Sequence, residues 1–224
     1  MWQSLFDELK DRDFIVLAVA LDEPEAARPW IEAAKPAYPC LIDRTHHVAD
    51  LFNLVNVPQA VWIDEGGRIV RPPEIAGSND GFRRVDRTTG VVPEEVLEDR
   101  QRVKAQYMDA VRDWVLRGAA SANALDAKQA ATRLALPQAE QAEAHARFRL
   151  GVHLLQEGQS EEAATHLAEA ARLHPASWAI WRRAAQKDHR GLASGPAFWA
   201  RVDALRERRY YEPAQIVERT ESSS

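Results

Sequence analysis

The stretch FIVLAVALDEP, from Phe14 to Pro24, carries the most information about the fold of this chain. Its first eight residues are all apolar, and an acidic pair ends the run. A strand that is covered on both faces needs such a continuous apolar run, and strands of this kind belong mainly to parallel sheets. We therefore predict a parallel strand over Phe14–Leu21, followed by a helix that begins at Pro24.

Two more strands follow, and a helical pattern separates each from the one before. Cys40–Asp43 is a short apolar run, and Asp43 or Thr45 can cap the helix that comes after it. Val55–Glu65 is typical of a third strand, which Gly66-Gly67 turns into a β-hairpin with residues 68–70. This alternation of strands and helices predicts an α/β fold for the N-terminal third of the chain.

Helical patterns replace the strands after Pro93 and continue to Tyr211. When Ala144 is taken as the first residue of a 34-residue unit, small and turn-forming residues fall at the landmark positions of a tetratricopeptide repeat. These landmarks are Leu150, Gly151, Gly158, Ala163, Ala170 and Pro175. The segment therefore resembles one tetratricopeptide repeat, and a degenerate second unit follows from Trp178.

Two roles for this helical region stay open. One role is a groove that binds a protein or peptide partner. The other is a helical cap that buries the aromatic side chains of the last helices, which are Trp178, Trp181, Phe198 and Trp199. Fewer than three repeats rarely stand alone, so neighbouring helices are expected to complete the stack in either case.

The N-terminal segment resembles the redoxin branch of the thioredoxin-like superfamily, which includes the TlpA/ResA-like oxidoreductases and the AhpC/TSA-related proteins. The resemblance is carried by FIVLAVALDEP, by YPCLIDRTHHVADLFNLVNVP and by QAVWIDEGGRIV. Val57 and Pro58 stand where that family has its cis-proline loop, directly before a strand. The resemblance implies a thioredoxin-like sheet, thiol–disulfide chemistry and no bound cofactor.

The cysteines that this chemistry needs are missing from the chain. The family carries a Cys-x-x-Cys pair at the start of a helix, where a thiol pKa is lowered, whereas Cys40 is the one cysteine here. Cys40 stands at the entry of an apolar strand, so we expect a buried structural thiol and assign no catalytic residue. The function expected is non-catalytic, with a truncated thiol–disulfide oxidoreductase or peroxiredoxin-like enzyme as the alternative.

The resemblance also implies that the sheet is incomplete. The family has a further strand between those matching Phe14–Leu21 and Ala60–Asp64, and no segment of this sequence corresponds to it. We expect the chain to begin downstream of that strand. The two flanking strands must then pair directly, pair with another chain or keep open edges, and open edges favour self-association.

Composition excludes several classes of function. The net charge of −5 and the absence of a basic module argue against nucleic-acid binding. No apolar run reaches the roughly 20 residues of a membrane span, and no signal-peptide pattern opens the sequence, so a cytoplasmic location is expected. The adjacent His46 and His47 have no further ligand at metal spacing, so we expect a surface or capping role and no metal site.

These observations predict four consecutive segments. Residues 1–77 form an N-terminally incomplete thioredoxin-like domain, and residues 78–92 form a polar linker rich in turn residues. An all-α, tetratricopeptide-like region then occupies 93–212, and a disordered tail occupies 213–224. The predicted fold class is thus an incomplete α/β sheet followed by an all-α region.

Overall fold

The structure is a computed structural model that describes residues 1–134, 138–189 and 191–217. Four strands lie in the first third of the chain: β1 (Ala18–Ala20), β2 (Cys40–Ile42), β3 (Gln59–Ile63) and β4 (Ile69–Ile75). Helices separate or follow them: α1 (Trp2–Leu9), α2 (Pro24–Ala34), α3 (His47–Leu51), α4 (Glu94–Arg117), α5 (Ala127–Arg133), α6 (Ala139–Gln156), α7 (Ser160–Leu173), α8 (Trp178–Ala184) and α9 (Pro196–Asp203). The fold is mixed α/β with a helical C-terminal region, as the sequence predicts.

The chain divides into two compact units that do not follow the predicted domain order. The first, here called the hairpin unit, comprises Met1–Val16, Pro58–Leu134 and Leu205–Ser224. The second, here called the parallel-strand unit, comprises Leu17–Val57 and Ala135–Ala204. Each unit therefore combines part of the predicted thioredoxin-like segment with part of the helical region.

The hairpin unit is built on the antiparallel pair of β3 and β4, with Gln59 opposite Ile75 and Ile63 opposite Ile69. Gly67, whose φ is +75°, supplies the left-handed residue of the connecting turn. Helices α1 and α4 cover the hairpin, and their apolar faces form one core with it. Leu5, Leu9, Trp62, Tyr107 and Val111 are buried in that core.

Strand β4 continues beyond the predicted end at Val70, through Pro72 and Pro73, to Ile75. Proline lacks the N–H that a central strand needs, so it fits a strand that pairs on one side only. The buried Arg71 anchors this extension, because its guanidinium donates hydrogen bonds to Glu74 and to the backbone carbonyl of Asn123. These tertiary contacts decide the length of the strand, and the local sequence does not reveal them.

Two segments predicted as linker and tail also take part in the hairpin unit. Residues 80–84 of the predicted linker form a 3-10 turn, and the Asp80 carboxylate accepts hydrogen bonds from the backbone N–H groups of Tyr210 and Tyr211. Val217 lies within the predicted tail, and both of its backbone groups form hydrogen bonds with the Asn123 side chain. Ordered contacts thus reach residue 217, and residues 218–224 lie outside the described residues.

The parallel-strand unit contains β1 and β2, which pair in parallel with Ala18 opposite Cys40 and Ala20 opposite Ile42. Asp43 follows β2 and caps α3, because its carboxylate accepts hydrogen bonds from the N–H groups of His47, Val48 and Ala49. The sequence offered Asp43 or Thr45 for this role, and Asp43 is the residue that fills it.

Helices α6 and α7 form an antiparallel pair in the same unit. Gly158, with a φ of +79°, makes the turn between them. The backbones approach closely at Gly151, where an added Cβ would lie 2.8 Å from Leu167 Cγ and 3.2 Å from the Ala163 carbonyl oxygen. The small residues Ala163 and Ala170 are fully buried at this contact, so the landmark residues have the packing role that their spacing suggested.

Strand β1 is shorter than the predicted strand over Phe14–Leu21. Ile15 and Leu17, which the prediction placed inside a covered strand, are 56% and 58% exposed. In the described part of the chain β1 pairs with β2 and β3 pairs with β4, in two separate two-stranded sheets. A strand with one neighbour has less of its length ordered and covered than a central strand would have.

Candidate functional site

Cys40 opens strand β2 and is half-buried, so it is more exposed than the sequence led us to expect. Its sulfur lies 3.8 Å from the backbone carbonyl oxygen of Tyr38, a weak hydrogen-bond contact. Burial, together with the nearby Cys40 sulfur, raises the pKa of the Tyr38 hydroxyl. Reactive thiols are typically found at helix N-termini or beside cations. Cys40 begins a strand instead, so its position resembles that of a structural cysteine.

The predicted cis-proline loop falls at the boundary between the two units, because Val57 ends one of them and Pro58 resumes the other. The Val57 N–H donates to Asn56 Oδ1 over 2.9 Å, and the Pro58 carbonyl accepts from the Ala76 N–H over 3.1 Å. These contacts fix the ends of the loop. The assignment of Val57 and Pro58 to the family's cis-proline loop stays a prediction.

His46 is buried in the parallel-strand unit, and its ring centre lies 4.8 Å from that of Phe148. Burial lowers the pKa of His46 to about 4, although the nearby Asp43 carboxylate acts in the opposite direction. Of the surface or capping role expected for the two histidines, His47 has the exposed position, whereas the buried His46 stands at the N-cap of α3 without a capping hydrogen bond from its side chain. No group of three metal-ligating side chains occurs among the described residues.

A cavity of about 530 Å³ opens in the parallel-strand unit, at the carboxyl end of β1. Leu21 and Asp22, which follow the strand directly, form one side of it, and helix α2 forms the next side with Trp30 and Ile31. Ligands of open α/β sheets bind outside the carboxyl ends of the strands. Cavities of roughly 300–1,000 Å³ are the usual size for small-molecule sites. Both position and size mark it as the candidate site.

The polar groups of the cavity are mainly cationic. Arg182, Arg183 and Lys187 come from the end of α8 and the residues after it. Lys187 Nζ lies 3.1 Å from Asp22 Oδ1, and Arg183 lies 2.7 Å from the Glu23 carboxylate. These ion pairs hold the charged groups beside the carboxyl end of β1.

No pattern in the sequence revealed this cavity, although two signals pointed toward it. One was the polar residue directly after a buried parallel strand, Asp22, which marks the edge of a sheet where ligands bind. The other was the cluster of Arg182, Arg183 and Lys187 in the degenerate second repeat unit. Nothing in the spacing of these residues showed that the two signals meet at one cavity.

The described residues around the cavity include neither the cysteine nor any serine or threonine hydroxyl. The side chains in the lining that can act as nucleophiles, acids or bases are Asp22, His46 and Lys187. An apolar lining with a few charged groups is instead the usual composition of a small-molecule binding site. The arrangement is suited to binding.

A family model for the AhpC/TSA family matches residues 1–71 of the chain. The match supports the redoxin resemblance of this segment, about a third of the sequence, and it spans parts of both units. No curated protein and no solved structure matches the chain. None of the helices in the described residues is long and apolar enough to cross a membrane.

Proposed function

We propose that this chain is a redoxin-related binding protein that does not catalyse thiol–disulfide exchange. The observation that carries the proposal is the position of Cys40, the one cysteine in the sequence, at the start of a strand. Exchange catalysis cycles an enzyme between a dithiol and a disulfide, which requires a second sulfur to release the mixed disulfide. Cys40 has no such partner within the chain.

In this proposal the helical region caps the α/β elements and does not itself form the binding groove. Within the parallel-strand unit, α6 and α7 have the close approach at Gly151 that tetratricopeptide-like pairs use. The helices of this unit also pack on its α/β elements: the Val55 carbonyl accepts the N–H groups of Trp178 and Ala179. Asp50 on α3 pairs with His145 and Arg149 on α6. These contacts favour capping over a free peptide-binding groove.

The experiment is reduction of insulin by dithiothreitol, followed by turbidity, with the full chain and its Cys40→Ser variant. We expect both proteins to leave the uncatalysed rate unchanged, because neither can complete the dithiol cycle. A single-cysteine peroxidase would escape this assay, so hydrogen peroxide consumption is measured in parallel. Thiol-dependent turnover that disappears in Cys40→Ser would overturn the proposal.

The second candidate function is a thiol–disulfide oxidoreductase or peroxiredoxin-like enzyme. The AhpC/TSA match over residues 1–71 favours it. Under this alternative, the chain would be related to the TlpA/ResA-like oxidoreductases. The same two assays separate the candidates, since the alternative requires activity that depends on a cysteine thiolate.

The proposed function also includes self-association of the chain through the open edges of β1 and β3. Each pairs on one side within the described residues, and apolar side chains beside the strands are exposed, among them Leu17 and Ile63. Open apolar strand edges favour pairing between chains. Sedimentation velocity at several concentrations should show an average mass that rises with concentration, and a constant monomer mass would remove this part of the proposal.

A further inference from the structure

The cavity of the parallel-strand unit has an excess of positive charge. Its described lining carries three permanent cations, Arg182, Arg183 and Lys187, and one carboxylate, Asp22. His46 also lines the cavity, but burial keeps its pKa near 4, so the ring is neutral at pH 7. This local excess stands out in a protein whose net charge is −5.

The nearby carboxylates reduce the excess but do not remove it, because two of them, Asp22 and Glu23, lie among four cations. Asp22 is already paired with Lys187, and Glu23 is shared between Arg183 and Arg44 at 2.7 Å and 3.3 Å. The Arg183 side chain is only 14% exposed, and its Nε is buried without a hydrogen-bond partner among the described residues. A cation that is partly removed from water interacts more strongly with an anion than an exposed one does.

The remaining walls are apolar. They are formed by Val19 and Leu21 of the β1 segment, by Ile31 of α2 and by Leu192. Trp30 stands at this surface and is 57% exposed, so its large apolar ring is open to a ligand. An indole ring in this position can cover a ring or an acyl chain.

We propose that the cavity binds a small organic monoanion with an apolar body. Its carboxylate or sulfonate lies toward Arg182, Arg183 and Lys187, and its ring or chain lies against Trp30 and Ile31. The proposal goes beyond the proposed function, because it does not involve Cys40 and can hold whether or not the chain catalyses redox chemistry.

Charge and shape together select this ligand class. Inorganic phosphate or sulfate would leave the apolar walls and Trp30 uncovered. A nucleotide triphosphate would bring more negative charge than these three cations can balance, because Arg183 and Lys187 already pair with carboxylates. A neutral apolar molecule would leave the net positive charge of the lining unbalanced. One negative charge on an apolar body satisfies both sides of the cavity.

The test is isothermal titration of the full chain at pH 7 with four probes. 1-Naphthoate and octanoate are monoanions with an aromatic and an aliphatic body, 1-naphthalenemethanol is the uncharged analogue, and inorganic phosphate has no apolar body. We expect one of the two organic anions to bind at least about tenfold more tightly than the alcohol and phosphate. The better of the two identifies the body as ring or chain.

Variants then locate the binding in the cavity. Arg182→Gln should weaken binding of the better anion about tenfold, and Trp30→Ala should weaken binding of the anion and the alcohol alike. Arg172→Gln is the matched control, because Arg172 is an exposed residue of α7 paired with Glu169 and away from the cavity. Unfolding curves for each variant show that a loss of binding is not a loss of fold.

Several outcomes would overturn the proposal. These are equal affinities for the anions and the alcohol, no binding of either anion, or an Arg182→Gln variant that binds as well as Arg172→Gln. If Arg182→Gln does not fold, Lys187→Gln takes its place with the same expectation. The Cys40→Ser variant should bind the anion like the parent chain, which keeps this result separate from the redox assays.

Discussion

The interiors of the two units are stabilised by different kinds of contact. The core of the hairpin unit is made of large side chains joined by polar contacts: Trp62 Nε1 donates to the Tyr107 hydroxyl over 3.0 Å, and the buried Arg71 lies 5.1 Å from the Trp62 ring centre. The helix pair of the parallel-strand unit is joined through small residues, with Gly151 and Ala163 at the closest approach. The first core depends on specific polar partners, whereas the α6–α7 contact depends on small residues that let the two backbones approach.

This difference predicts opposite vulnerabilities. A core built on a buried cation should fail when a side chain is removed, because the remaining polar groups lose their partners. A core built on close backbone approach should fail when a side chain is added, because tight packing leaves no room for it. Substitutions in each unit test this contrast through their effect on the free energy of unfolding.

Arg71→Met should destabilise the hairpin unit by about 3–5 kcal/mol, the cost of breaking a buried ion pair by removing one partner. The substitution would leave Glu74 without its cation and the carbonyls of Asn123 and Gln215 without a donor. Urea unfolding measures the loss of free energy. Hydrogen exchange should locate it in residues 58–134, with little change in α6 and α7.

Arg102→Met is the control for this prediction. Arg102 pairs with Asp99 on the exposed face of α4, and exposed ion pairs contribute about 0–1 kcal/mol. If Arg71→Met costs no more than Arg102→Met, the hairpin unit does not depend on its buried cation. The contrast between the two cores would then be wrong on its first side.

Acid should weaken the parallel-strand unit, which contains all seven histidines of the chain. The pKa of His46 falls to about 4 in the folded state, below the ordinary 6.5, so the unfolded chain binds a proton more readily. Its contribution is therefore fully present above pH 6.5 and is lost as the pH falls toward 4. At about 1.4 kcal/mol per pH unit, the loss is about 3 kcal/mol.

His46→Asn should remove this part of the pH dependence, and asparagine tolerates the positive φ of 56° at this position. The measurement is the free energy of unfolding in urea at pH 7 and pH 4.5 for both proteins. Other histidines with lowered pKa values, His145 and His174, remain in the variant and keep some slope. Equal slopes in the two proteins would show that burial of His46 does not couple to stability.

The sequence predicted those parts of the fold that neighbouring residues determine. The Gly158 turn, the small contacts at Gly151 and Ala163, and the cap at Asp43 all follow from local spacing and side-chain chemistry. The division into units could not be predicted in this way, since it depends on which distant segments pack together. Arg71, between Val70 and Pro72, looks like a surface residue in the sequence, and only tertiary contacts reveal that it is buried.

The candidate site shows the same limit. Cys40 and the Val57–Pro58 loop were identified because a family resemblance assigns roles to single positions. The cavity was not identified, because it joins the end of β1 to Arg182 and Lys187, more than a hundred residues later in the chain. Charged residues near the end of a helix usually indicate a solvated surface, so their pattern alone does not predict a cavity.

Gly151→Leu should destabilise the α6–α7 pair by about 2 kcal/mol, within the range for side chains forced into a packed interior. The new side chain would begin 2.8 Å from Leu167 Cγ, so Leu167 or a helix backbone must move. Ala146→Leu adds a leucine to an exposed position of the same helix and should cost less than about 0.5 kcal/mol. Equal melting temperatures for the two variants would contradict the close approach.

The smallest expected loss of stability comes from removing a helix cap, and each unit has a cap that can be compared. In the parallel-strand unit, the buried Asp43 carboxylate accepts three N–H groups of α3. In the hairpin unit, the exposed Asp126 accepts the Gln129 N–H at the start of α5. Removing a cap costs about 0.5–2 kcal/mol, and the cost is higher where the freed donors are buried.

Asp43→Ala should therefore destabilise its unit by about 1–2 kcal/mol, whereas Asp126→Ala should cost about 0.5–1 kcal/mol in the hairpin unit. Urea unfolding of the two variants gives the difference, and Asp43→Asn separates the contribution of charge from that of hydrogen bonding, since an asparagine oxygen still accepts. Because α3 leads to Asn56 and Val57 beside the cavity, Asp43→Ala should also reduce the affinity for the organic anion. If Asp126→Ala is the costlier variant, α3 is held by its packing on α6 and its cap contributes little.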